Sequence, residues 1–305
     1  MLAPRARSLG DAIALGPWAL ARAQETRAPC LASSVVRGPA AVLGALQRAP
    51  RVLAPARCEA AGVAMYRRET TGTAVYLGGR ALVWTLALPA VTALAPDATM
   101  ATALNRNVRG FLQGLTRVGA LAHYFGREWV SVGHRPAAVL GLDATPEGAV
   151  LLELWAGWDE PVALPDALVT DDERAVDRWR GKTPRALEGA CGGRSPEAVG
   201  AAVATAVAAR AGLTPTDEPA PERALRAVQP IDFTKEIGGV WRALRVPIGW
   251  VEVGATEGGA RALRGDVLTA RWALEALARS GAVAPGAPLE GARWEDLRAL
   301  LEGAP

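Results

Sequence analysis

The sequence predicts an α/β (α+β) protein: a mixed, mostly antiparallel sheet with helices around it, followed by a small C-terminal α+β module. Three observations predict it. Runs rich in strand formers alternate with segments of helical spacing up to residue 213. Thr214–Pro221 (Thr-Pro-Thr-Asp-Glu-Pro-Ala-Pro) has the composition of a linker. Shorter strand and helix signals then repeat behind it. The expected division is residues 1–213, a linker at 214–221, and a small module at 222–305.

The elements follow in order. Asp11 is placed to cap a first helix running through Trp18 and Ala23. Pro50 and Pro55 mark a turn, Ala56–Ala61 a short helix stopped by Gly62, and Val63–Tyr66 a strand. Gly78-Gly79 is a turn signal, and Ala81–Leu88 reads as a buried strand. From Thr99 to Gly119, Leu104, Val108, Phe111, Leu112 and Leu115 share one helical face. Strands are expected at Glu128–Val132, Pro136–Leu142 and Ala149–Trp155. Ser195 as cap, Pro196 at the first position and Gly212 beyond the end define a helix over 195–211. In the module, Trp241–Val253 and Arg261–Leu263 read as strands, and Val267–Ser280 and Trp294–Leu301 as helices.

Composition narrows the function classes. Half of the 305 residues are hydrophobic, which supplies a core and argues against global disorder. The net charge is +3 and the basic residues are scattered, so nothing calls for a nucleic-acid partner. Lys182 and Lys235 are the only lysines, so any lysine chemistry has two candidates. Cys30, Cys58 and Cys191 are widely spaced and form no zinc pattern with His123 and His134, so no metal site is expected. The sparse, odd cysteine count fits a reducing cytoplasm. No signal-peptide core is visible, and the longest apolar run, 81–96, is broken by Thr85, Pro89 and Thr92, so no membrane span is expected.

Three segments carry a resemblance. Val42-Leu43-Gly44-Ala45-Leu46-Gln47 precedes Arg67-Arg68-Glu69-Thr70-Thr71-Gly72-Thr73-Ala74-Val75-Tyr76. A third block, Gly126-Arg127-Glu128-Trp129-Val130-Ser131-Val132-Gly133-His134-Arg135-Pro136-Ala137-Ala138, follows about sixty residues later. Together they resemble the lipoate-protein ligase, biotin-protein ligase and octanoyltransferase superfamily. Its members read V-x-G-x-x-Q, then R-R-x-S/T-G-G-G-A-V, then roughly G-R-N-D-L-x-V-x-x-R-K-x-S/A-G. The resemblance spans about residues 8–213 and implies the superfamily's catalytic-domain fold, a mixed sheet flanked by helices like that of class II aminoacyl-tRNA synthetases. Gly249–Glu252 and Leu263–Val267 resemble more loosely the accessory domain of some lipoate ligases.

The resemblance implies activation of a lipoate- or octanoate-type carboxylate with ATP and Mg, and transfer to a lysine of a carrier-domain protein. Arg67, Arg68, Thr70, Thr71, Gly72, Thr73 and Tyr76 would form the substrate and adenylate loop, where arginines hold anionic oxygens and glycines let backbone N–H groups approach. Arg127, Glu128 and His134 would extend it. The sequence departs from the pattern in ways that bear on activity. Only Gly72 of three loop glycines remains, and the Asn-Asp pair is Glu128-Trp129. Arg135 stands at the family lysine's position, with a planar fork where a compact ammonium is expected. Trp129 is either a core or pocket-wall aromatic or fills the space of an adenine. Cys191, in Gly189–Gly193 ahead of a helix, is the candidate nucleophile for a thioester route; the alternative is an incidental loop thiol. The function expected is attachment or binding of acyl groups. The alternative is a catalytically lapsed homologue, a pseudoenzyme that holds a ligand or serves as a partner-binding subunit.

Overall fold

The computed structural model describes residues 4–213, 227–232, 236, 239–255 and 259–303. The expected linker 214–221 and Lys235 lie outside them. Among the described residues the main sheet has seven strands in the order β1 (Arg5–Ala6), β2 (Cys30–Arg37), β6 (Arg80–Leu88), β10 (Val150–Gly157), β9 (Arg135–Ala144), β8 (Trp129–Val132) and β7 (Ala122–Tyr124). Only the β1–β2 pair is parallel. A smaller sheet places β3 (Ala40–Leu43) between β4 (Ala64–Arg67) and β5 (Val75–Leu77).

Both faces of the main sheet are covered, which is why β6 is apolar from Ala81 to Leu88 except at the buried Thr85. Leu82, Trp84 and Leu86 face α5 (Arg109–Arg117) and α7 (Pro196–Ala211) in one core. Ala81 and Val83 face α1 (Leu9–Thr26) and the smaller sheet in another. Helix α7 ends as its sequence dictates: the Ser195 hydroxyl accepts from Ala198 N, and Gly212 takes the left-handed conformation.

Several elements differ from expectation. The cap of α1 is Ser8, whose hydroxyl accepts from Asp11 N and donates to the Asp11 carboxylate, so Asp11 sits in the first turn. The helical stretch expected over 99–119 is divided into a 3-10 turn at Met100–Thr102, α4 (Ala103–Asn107) and α5. At the break, the Asn107 side-chain amide donates back to Ala103 O at 2.9 Å. Trp241–Val253 is a hairpin of β11 (Trp241–Val246) and β12 (Gly249–Ala255), with β13 (Arg261–Gly265) beside it. The helix expected from Val267 starts later. Leu268–Thr269 is a short strand, β14, and α8 covers Arg271–Ser280. A last strand, β15 (Leu289–Glu290), pairs with β14, and α9 covers Trp294–Glu302. Among the described residues, no helix is long and apolar enough to cross a membrane.

Candidate functional site

The first two motifs meet at a backbone crossing. Gly44 and Gly72 lie so close that a Cβ on Gly44 would collide with Gly72 O. Gly72 has φ +107°, and a Cβ there would stand 2.7 Å from Leu268 Cδ2 and 2.9 Å from Leu140 O. Glycine at these two positions lets the loop lie flat on β9, where Thr71 N donates to Leu142 O at 2.8 Å.

The two arginines are committed inside the protein. Arg67 donates to the carbonyls of Gly44 (3.1 Å), Ala45 (3.4 Å) and Gln47 and pairs with Glu236, so it braces the turn of the first motif. Arg68 is 1% exposed. Its Nε donates to Thr70 Oγ1 at 3.0 Å, its Nη2 to Thr73 O at 2.8 Å, and Glu153 Oε2 stands at 4.0 Å. Burial lowers the Arg68 pKa to about 10 despite the Glu153 charge. Thr70 Oγ1 and Trp155 Nε1 both donate to Glu153, closing a buried network beneath the loop. Thr73 is buried, and Tyr76 is partly exposed at the loop's far end.

The outer face of the loop is covered by residues 265–271. Thr269 N donates to Thr71 Oγ1 at 2.9 Å, and that hydroxyl lies within bonding reach of Thr269 O at 2.8 Å and Leu142 O at 2.7 Å. Next along the chain, Arg271 spans Glu69 and Asp143: its Nη1 donates to Glu69 and its Nε to Asp143 Oδ2 at 2.7 Å. Asp143 Oδ1 also accepts from Arg271 N at 3.0 Å, so a residue of β9 satisfies an orphan amide at the start of α8. Before the strand, Gln47 donates to Asp266, and Gly265 N donates to Leu46 O at 2.8 Å. Buried Arg178 joins Asp266, Glu173 and Ile248 O to this latch. Leu268, Thr269, Arg271 and Asp266 were not legible as site residues, because their partners stand about two hundred positions away.

The third block runs away from the loop: Glu128 O accepts from Leu140 N at 2.9 Å beside Gly72, but Arg135 lies far along β9. Arg68 packs against Gly141, six strand residues from Arg135, or roughly 20 Å at about 3.3 Å per residue. Arg135 is exposed and donates to Thr183 O and Pro184 O, both at 2.9 Å. The structure thus does not bring Arg135 together with Arg67 and Arg68. His134, exposed with φ +63°, stacks on His123 at 5.7 Å. Arg127 stands over Trp129 at 5.9 Å, and Trp129 is buried edge-on against Trp179. Glu128 is 1% exposed, and neither carboxylate oxygen has a partner among the described residues. Burial pushes its pKa up to about 7. Cys191 is buried in the helix-side core, and burial raises its thiol pKa.

Residues 9–143 match the family model of the lipoyl protein ligase A/B catalytic domain. Over those residues the chain is similar to the catalytic domain of lipoyl protein ligases. Solved structures share its fold. A lipoate-bound LipL1 of P. falciparum superposes with TM-score 0.59 at 13% identity, over 88% of this chain and 86% of that one. A bi-partite lipoate protein ligase from Thermoplasma acidophilum gives TM-score 0.58 at 16% identity, over 73% and 88%. A lipoate-protein ligase A bound with ATP gives 0.57 at 15%, over 73% and 91%. No curated protein matches the chain.

The superfamily implies a Mg-nucleotide, and the residues present do not fit one as they are arranged. The loop arginines bond to internal acceptors, the approach to Gly72 is filled by Leu268, and Thr71 is taken by Thr269. Among the described residues, no group of three or more His, Cys, Asp or Glu side chains could hold a metal ion.

Proposed function

We propose that this protein is a catalytically lapsed lipoate-protein-ligase homologue whose ligand loop is occupied by its own chain. One observation carries the reading: the Leu268–Arg271 segment seats on the Thr71–Gly72 loop with hydrogen bonds, an apolar contact and an ion pair. A loop open to an acyl-adenylate would have unsatisfied donors aimed at solvent. Here both arginines end on internal carbonyls and carboxylates. The separation of Arg135 from Arg68 and the burial of Cys191 support the same reading, since neither supplies a charged or nucleophilic group at the loop.

A second reading is a working ligase or acyltransferase that joins lipoate or octanoate to a carrier-domain lysine. It is favoured by the fold shared with structures that contain lipoate or ATP. Incubation of the full chain with ATP, Mg, lipoate or octanoate and an apo lipoyl domain separates the two. The lapsed reading expects the intact mass of the carrier to stay unchanged. A carrier gaining the mass of a lipoyl or octanoyl group overturns it.

A further inference from the structure

A cavity of about 430 Å³ opens between β13, α8 and α9. That falls within the roughly 300–1,000 Å³ typical of ligand pockets. Arg261 lines it from the first position of β13, Arg279 from the last turn of α8 and Arg298 from α9. Leu277 and Leu301, both buried in the local core, form its apolar floor. Glu302 is the acidic residue of the lining. The site is separate from the Thr71–Gly72 loop. Arg261 lies four strand residues from Gly265, whose amide bonds to Leu46 O, or roughly 13 Å at about 3.3 Å per residue.

The three guanidiniums are what call for a ligand. All three residues are exposed, and among the described residues none of them has a hydrogen-bond or ion-pair partner. Other exposed arginines are matched: Arg22 pairs with Glu25, Arg174 with Asp171 and Arg293 with Asp296. A cation in the last turn of a helix is favoured by the helix dipole, which accounts for Arg279 alone. Arg261 opens a strand and Arg298 is in the middle of α9, so nothing local accounts for their meeting Arg279 at one cavity. The acidic residue of α8, Glu275, exerts its charge on Arg264, which does not line the cavity. Three positive charges against the single Glu302 leave an excess of two.

We propose that this cavity binds a phosphate monoester, its oxygens accepting from Arg261, Arg279 and Arg298 while its carbon chain packs on Leu277 and Leu301. A monoester carries roughly two negative charges at neutral pH, which matches the excess. Its three terminal oxygens point in three directions, so forks arriving from three elements can each be satisfied. A carboxylate has two oxygens in one plane and suits a single fork. The site stands independently of whether the chain turns over an acyl substrate.

Calorimetry of the full-length protein at pH 7.5 in low salt tests it, with n-propyl phosphate as probe and butyrate as planar control. A phosphoserine peptide and its unphosphorylated form distinguish a phosphate carried by a protein from one on a small molecule. The proposal expects propyl phosphate or the phosphopeptide to bind and butyrate to bind at least about tenfold more weakly. Each of Arg261→Gln, Arg279→Gln and Arg298→Gln is expected to weaken the phosphate by about ten- to hundredfold. Glu302→Gln, which removes the opposing charge, is expected to strengthen it severalfold. Arg22→Gln removes one positive charge on α1 and is expected to leave the affinity unchanged. All of these residues are exposed, so the variants are expected to fold, which their thermal melts check. Failure of both phosphates to bind, equal binding of butyrate, or unchanged affinity in any of the three cavity variants would overturn the proposal. So would a loss in Arg22→Gln as large as theirs, because the binding would then follow net charge alone.

Discussion

Thr71 and Thr269 stand 198 positions apart in the chain, yet Thr269 N donates to Thr71 Oγ1 at 2.9 Å. Thr71 occupies a position where the superfamily pattern has glycine. Its hydroxyl thus fills, for the protein's own Thr269, a place that a Cβ-free residue would leave open to a ligand. The residue that departs from the nucleotide-binding pattern is the one that bonds the Leu268–Arg271 segment to the loop.

Thr71→Val keeps the shape and removes the hydroxyl. The Thr269 amide then loses its acceptor in a buried site, and the variant is expected to lose about 1–3 kcal/mol of stability. Urea unfolding followed by tryptophan fluorescence reads it. A midpoint equal to that of the parent protein would show that the contact contributes nothing.

Glu128→Gln should show a pH-dependent gain in stability. The native carboxyl is raised from 4.5 to about 7, so the folded state holds the proton more tightly than the unfolded chain. Stability from this group is therefore fully present below pH 4.5 and lost as pH rises through about 7. Gln removes the loss, so its advantage is near zero at pH 4.5 and grows to at most about 3 kcal/mol by pH 8. Glu173, also raised to about 7 by burial, is common to both proteins and cancels in the comparison. Thermal melts of the two proteins at pH 4.5 and 8 check this; a gain confined to the acid side would contradict it.

Arg135→Lys restores the residue type that the motif calls for without restoring a site. Arg135 holds Thr183 O and Pro184 O, about six strand residues from Arg68. No acyl-AMP formation is expected from the variant by mass spectrometry, and stability should fall by no more than about 1 kcal/mol because the residue is exposed. Appearance of acyl-AMP would mean that the strand reaches the loop in solution.

Much of the scaffold was legible because it is written locally. Ser195, Pro196 and Gly212 bracket a helix by their own backbone preferences, and three motifs in register pointed to the fold. Elements failed where a side-chain amide bonds back into the helix, as Asn107 does between α4 and α5, or where a turn is only two residues long, as at Pro247-Ile248 inside the hairpin. The loop Arg67–Tyr76 was found as a segment, but its occupancy was not. Arginines that end on carbonyls and arginines that await phosphate look identical in sequence. Asp266 and Arg271 lie about two hundred positions from Gln47 and Glu69, beyond any periodicity. The burial of Glu128 was likewise invisible, because a glutamate at a strand's edge normally reads as solvated.

The central claim is that the Leu268–Arg271 segment, and not a bound acyl-adenylate, occupies the Thr71–Gly72 loop. Amide hydrogen exchange at Thr269, with and without saturating lipoate and ATP, tests it most directly. The account predicts strong protection that the added ligands leave unchanged, because the Thr71 hydroxyl already holds this amide. Loss of protection at Thr269 on adding lipoate and ATP, with new protection at Gly72 and Thr73, would contradict it.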